Sequence, residues 1–227
     1  MSIAAIRSYP MSCVEPCGLG AGECGAGRCR ETRHLQRVAR GAYLFDQGAD
    51  CLSAFSVLSG ALVLEYVDDN GGVAILRLVR PGELLGCADL FDGHEHRTSA
   101  RAVEETVVCP LPEADLLAAM AAGGGFSLGL MRAVASESHA FSNFAQRQAS
   151  LSVEARVLSL LEDLSGGCRR FPLPVSKKDL AFMAGTGPEV LSRTLVKLQK
   201  AGAIWMEGGE VVLTGSAEGL GPVRLAS

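Results

Sequence analysis

The sequence predicts an α+β chain built from a small antiparallel β-roll, one long helix and a C-terminal winged helix-turn-helix. Three observations predict it. Short apolar runs punctuated by turn residues fill the stretch from about Gly41 to Pro112. A proline-free stretch from Phe126 to Leu151 carries apolar and small residues at alternating spacings of three and four. Two short helical patterns then meet around a glycine-containing turn between Ser176 and Ala201, with a hairpin pattern behind them.

The chain has 227 residues, of which 48% are apolar and 20% charged, enough to bury a core. It opens with four cysteines in seventeen residues, Cys13, Cys17, Cys24 and Cys29, separated by three, six and four residues. Glycines 18, 20, 22, 25 and 27 fill the gaps and leave the backbone free to wrap a small object. Clustered thiolates on such an arm suit an iron–sulfur cluster or zinc. The first ten residues hold no apolar run of signal-peptide length, and no stretch approaches the roughly 18–20 apolar residues of a membrane span. The expected location is therefore the cytoplasm, where eight cysteines argue for metal or redox chemistry over a disulfide framework.

In the roll, Ala61–Val67 and Val73–Val79 flank Asp-Asp-Asn-Gly-Gly, a hairpin with an Asn-Gly turn signal. Further strands are expected at Thr98–Ala102 and Thr106–Leu111. Pro112 begins a helical region broken at Gly123–Gly125. Beyond the break, Leu128, Met131, Val134/Ala135, Ser138, Phe141/Ser142, Ala145 and Gln148/Ala149 form the stripe. A long helix between two small domains has little core to join, so a partner helix in a homodimer is expected on it. The serines and glutamine make that seam weak. Glu154–Leu164 reads as a further helix closed by Gly166-Gly167.

Ser176, with Asp179 three residues on, opens the first helix of the helix-turn-helix as a capping box. Ala184-Gly185 ends it, and Thr186 is expected to cap the second, with Pro188 in its first turn. Val190, Leu191, Leu195 and Leu198 give that helix an inward face, leaving Glu189, Ser192, Arg193, Thr194 and Lys197 towards solvent. Ile204–Met206, Gly208-Gly209 and Val211–Leu213 read as the wing. All four lysines, Lys177, Lys178, Lys197 and Lys200, lie in this window of a chain whose net charge is -4. An acidic protein that gathers its lysines on one small element is placing phosphate contacts.

Pro-Glu-Val-Leu-Ser-Arg (188–193) resembles the recognition helix of the CRP/FNR superfamily of bacterial transcription regulators, and the strand pattern resembles that superfamily's cyclic-nucleotide-binding-like β-roll. The FNR-like branch carries Glu, Ser and Arg at these spacings. The resemblance implies double-stranded DNA as partner, read by a homodimer at inverted repeats of TTGAT-like half-sites, and RNA polymerase as a further partner. Arg193 can donate bidentately to a guanine edge, Glu189 can accept from a cytosine amino group, and Ser192 can touch either kind of base.

The FNR branch holds a 4Fe–4S cluster through three N-terminal cysteines and one in the roll. Cys109 in Val-Val-Cys-Pro-Leu-Pro matches the roll cysteine, and Cys13, Cys17 and Cys24 fit the arm spacing best, with Cys29 as a substitute. The reading that follows is an oxygen- or redox-sensing regulator whose cluster governs dimerisation. The cyclic-nucleotide branch instead needs Gly-Glu and Arg-Ser pairs in the roll. The matching positions here are Gly86-Cys87 and Arg97-Thr98, an effector pocket that lacks the carboxylate for a ribose hydroxyl. The alternative reading is a regulator that answers to another small molecule, or to haem near His94, His96 and Cys87. The domain expectation is an arm over 1–34, a roll over 35–112, a dimerisation region over 113–151 and the DNA-binding domain over 152–227. No catalytic constellation is present in the sequence, and an enzyme is not expected.

Overall fold

The computed structural model describes residues 35–121 and 126–214. Their contacts fall into two compact units, 35–62 with 79–138 and 63–78 with 139–214. The four arm cysteines and the Gly123–Gly125 break lie outside the described residues.

In the first unit, strands β1 (Gln36–Val38), β2 (Tyr43–Phe45) and β3 (Ser53–Ser59) come first. The hairpin of β4 (Leu62–Val67) and β5 (Val73–Val79) comes next in the chain. Its turn is fixed by Asp68, whose carboxylate accepts the amides of Asn70 and Gly72 at 2.8 Å each. The chain continues through β6 (Leu84–Leu85), the short helix α1 (Cys87–Phe91), β7 (Ser99–Ala102) and β8 (Thr106–Pro112).

The strand β8 is central to its sheet, whose order is β1-β8-β3-β6. Gln36 lies opposite Val108, and Ser56 opposite Cys109, all antiparallel. One face of β8 (Thr106, Val108) and the other (Cys109, Leu111) are both buried, as expected of a strand covered on both sides. Gly60 turns β3 back with φ +81, and a Cβ there would collide with the Glu105 carbonyl and Thr106. Only glycine fits that corner.

Helices α2 (Glu113–Ala121) and α3 (Phe126–Ser150) follow. Phe126 and Leu130 of α3 and Leu116 of α2 close a buried cluster with Cys51, Cys87, Leu90, Cys109 and Leu111. The stripe expected to face a partner helix is largely outward. Leu128 and Met131 are 47% and 61% exposed, and Ala135, Ser138, Ser142, Ala145 and Ala149 are exposed as well. Of the positions read with them, Val134, Phe141 and Gln148 are half-buried.

In the second unit, α4 (Val153–Ser165) is capped by Ser152, whose hydroxyl accepts the Ala155 amide at 3.2 Å, and ends on Gly166 with φ +57. Strand β9 (Arg170–Pro172) leads to α5 (Lys177–Met183) and α6 (Pro188–Lys200). The wing is β10 (Ile204–Glu207) and β11 (Glu210–Leu213), with sheet order β10-β11-β9. The third strand, β9, was not legible in the sequence: three residues ending on a proline carry too little periodicity, and pairing with β11 creates the strand. Among the described residues no helix is long and apolar enough to cross a membrane.

Candidate DNA-binding surface and sensory residues

Ser176 caps α5 as the sequence suggests. Its Oγ accepts the Asp179 amide at 3.0 Å and donates to the Asp179 carboxylate at 2.7 Å, a reciprocal closure that leaves Asp179 only 7% exposed. Leu180, Ala181 and Met183 are buried against the next helix, and Gly185 turns the chain with φ +59. The cap of α6 differs from expectation. Gly187, not Thr186, is the N-cap residue, and the Thr186 amide instead donates to the Ala181 carbonyl at 3.0 Å. The turn spends Thr186 on closing α5, so the next helix starts one residue later.

Leu191, Thr194, Leu195 and Leu198 form the inward stripe of α6. Thr194 and Val190 lie opposite to expectation. Thr194 is 4% exposed because it sits about one turn from Leu191 and Leu198, on the buried stripe. Val190 is 37% exposed because it lies about a quarter turn off that stripe. The outward face carries Glu189, Ser192, Arg193, Val196 and Lys200, all exposed. Glu189 and Arg193 are four residues apart and so share one side of the helix.

The cations around this face are not equivalent. Lys177 and Lys178 are exposed at the start of α5, and the Lys178 ammonium sits 5.7 Å from the centre of the Phe182 ring. Lys197 is exposed too, but its Nζ donates to Glu154 Oε1 at 2.9 Å. That hydrogen bond is the main reason the Glu154 carboxyl is held below the usual carboxylate range. Arg156, on α4, is half-buried, and there desolvation pulls its guanidinium below the usual range and Gln148 accepts from it. Gln148 also lies against Gly185, where a Cβ would overlap its carboxamide. On the wing, Trp205 is 56% exposed.

Of the residues expected to take part in sensing, Cys109 is 5% exposed in β8. It shares its cluster with Cys51 and Cys87, both buried. The Cys51 thiol is pushed up to about 11, first by burial and then by the negative charge of Asp89, which makes it inert near neutral pH. Cys168 is exposed in the other unit.

At the four residues matched to an effector pocket, the donors of Arg97 face the chain's own carboxylates. Gly86, at φ +78, precedes α1, and Cys87 is 1% exposed. Thr98 is buried, while the Arg97 side chain is 67% exposed and paired with Asp92. The Arg97 amide donates to Asp89 at 3.3 Å. Acidic side chains of the chain itself therefore meet the donors that an anionic ligand would need. The histidines are also unlike each other. His94 is exposed and lies 3.2 Å from Glu113, whereas His96 is 3% exposed and stacked on Phe45, with ring centres 3.6 Å apart. His96 is thus withdrawn from solvent against the Phe45 ring, and His94 is not.

Sequence reasoning missed Glu137. It is 4% exposed in the middle of α3, and its carboxylate accepts the amides of Gly86 at 3.2 Å and Ala88 at 3.3 Å. The available signal was a carboxylate standing seven residues after Leu130, in line with the buried stripe of α3.

Two family models match the chain, one for a cyclic nucleotide-binding domain over residues 35–122 and one for a Crp-like helix-turn-helix domain over residues 155–217. The chain is 29% identical over 188 residues to the transcriptional activator protein Anr of Pseudomonas aeruginosa, covering 80% of this chain and 77% of that one. It is 23% identical to the fumarate and nitrate reduction regulatory protein of Salmonella typhimurium, with 79% and 74% covered. In fold it is similar to FixK2 from Bradyrhizobium japonicum, with a TM-score of 0.75 at 20% identity over 86% of this chain and all of that one.

Proposed function

Because the chain belongs to the CRP/FNR superfamily, whose members are DNA-binding transcription regulators and not enzymes, we propose that it is an oxygen- or redox-responsive regulator of the FNR type. It acts as a homodimer on inverted repeats of TTGAT-like half-sites, with RNA polymerase as its protein partner. On the DNA side, Arg193 reads a guanine edge, Glu189 accepts from a cytosine amino group and orients Arg193, and Ser192 contacts a neighbouring base. Lys177, Lys178 and Lys197 contact phosphates and set the register. The outward stripe of α3 is the dimer seam, and pairing spaces two recognition helices by about one DNA turn, roughly 34–36 Å.

On the sensing side, the donor set suits a 4Fe–4S cluster. Cys109 offers a soft ligand on β8, and the strand that follows the arm, β1, pairs with β8 at the neighbouring residue, Gln36 opposite Val108. The ligands are Cys13, Cys17, Cys24 and Cys109, with Cys29 able to substitute in the arm, and when bound the cluster supplies iron–thiolate chemistry that oxygen disrupts. The single observation that carries the reading is what surrounds Cys109. It shares one buried cluster with Leu116 of α2 and with Phe126 and Leu130 at the start of α3. A change in how the Cys109 sulfur is held is therefore felt at the root of the helix that carries the seam. Shifting a monomer–dimer balance from 1:99 to 99:1 takes about 5.5 kcal/mol.

The test is Cys109→Ala in the full chain, prepared without oxygen. It should fold, lose its iron and lose the oxygen-dependent part of operator binding. A variant that keeps both iron and oxygen response sinks the assignment of Cys109.

A further inference from the structure

Neither the DNA surface nor the cysteines account for the buried Glu137 carboxylate of α3. It lies on the same side of α3 as Phe126 and Leu130, beside an apolar cluster that contains Cys87 and Leu90. An apolar side chain would be the less costly occupant of such a place, since a carboxylate there must give up its water. Both of its oxygens instead accept main-chain amides at the start of α1, Oε1 from Gly86 at 3.2 Å and Oε2 from Ala88 at 3.3 Å. The two residues are 51 positions apart in sequence for the first bond and 49 for the second, so the bonds join α3 to the roll and do not stabilise either locally.

We infer that Glu137 is a positioning residue, an internal anion that fixes the dimerisation helix on the Gly86–Ala88 turn of the roll. The carboxylate does within the chain what a bound effector's anionic group would do from outside. This fits a roll whose Cys87 lacks the carboxylate for a ribose and whose Arg97 is already paired with Asp92. It also ties the turn that contains Cys87 to the midpoint of the helix that begins beside Cys109. The inference does not depend on the iron–sulfur reading, because its readouts need neither iron nor oxygen.

The experiment uses the full chain and three proteins: wild type, Glu137→Gln and Glu137→Ala. Amide hydrogen exchange across residues 84–91 is the primary measurement, with acetate as a stand-in anion and chloride at equal ionic strength as control. Removing a charge-assisted bond from each amide should speed exchange at Gly86 and Ala88 by at least about tenfold in Glu137→Ala. Acetate, and not chloride, should slow it again and raise the variant's melting temperature by a few degrees, while leaving wild type unchanged. Glu137→Gln keeps the shape and loses the charge, so it should exchange faster than wild type with an unaltered fold. That variant carries the test if the alanine variant does not fold. Wild-type exchange rates in Glu137→Gln, or acetate acting equally on wild type and Glu137→Ala, would overturn the assignment.

Discussion

The Lys197 ammonium donates to the Glu154 carboxylate across 2.9 Å, joining α6, the second helix of the helix-turn-helix, to the first turn of α4. The pair restrains a cation that the proposed function assigns to a DNA phosphate. Glu154→Gln should therefore free Lys197, strengthen operator binding and steepen the dependence of log K on log salt by up to about 0.9 per protomer. A salt titration of operator affinity checks it, and an unchanged slope removes Lys197 from the phosphate contacts. The pair should matter little to stability, since Lys197 is 72% exposed. Its share is present above the unfolded carboxyl value near 4.5 and is lost as pH falls through the lowered folded value.

Arg193→Ala tests base reading. The side chain is exposed on the outward face of α6, so its loss should leave the melting temperature unchanged. Operator affinity should fall by about 1–3 kcal/mol, and selectivity should relax at one base-pair position in each half-site. Binding to a panel of single-base operator variants resolves this. Undiminished selectivity at every position contradicts the role.

Gly185→Ala tests the turn. The added methyl meets the Gln148 carboxamide, and the φ of +59 costs a non-glycine residue about 1–2 kcal/mol. The variant should melt several degrees lower. Adding Gln148→Ala should recover only part of the loss, because it relieves the overlap and not the backbone strain. Full recovery in the double variant would place the whole cost in the overlap.

The cysteines should react in order of exposure. Among the described residues, Cys168 should be alkylated first and Cys51 last, since Cys51 is fully buried and its thiol is pushed up to about 11. Because the folded value lies above the ordinary 9.0, the buried thiol favours the fold below pH 9 and that contribution fades as pH rises towards 11. Mass spectrometry of timed alkylation at pH 8 checks the order, and early labelling of Cys51 contradicts it.

How much of this was legible in the sequence depended on the range of the forces involved. Ser176 and Asp179 announce α5 because both halves of the cap lie three residues apart. The apolar stripe of α6 and the Gly208-Gly209 turn of the wing are equally local. Val190 and Thr194 were exchanged because a one-residue rotation of a helical stripe barely alters its apolar count, and packing decides it. Strands as short as β1, β2, β6 and β9 exist only through their partners. Glu137 was invisible for the same reason, since nothing near it in sequence names the amides 49 and 51 residues away. The burial of Cys109 beside α2 and α3 was likewise a property of the fold, although its place in the motif was not.

In the proposed function, sulfur ligation at the arm and Cys109 governs pairing on DNA. It is tested most directly by reconstituting the full chain with iron and sulfide without oxygen, then measuring metal content and operator affinity before and after air. The expected result is about four iron and four sulfide per protomer, a dimer bound to a TTGAT-like inverted repeat, and loss of both cluster and tight binding on exposure to air. A protein that takes up no iron, and binds the operator equally well with and without oxygen, contradicts it.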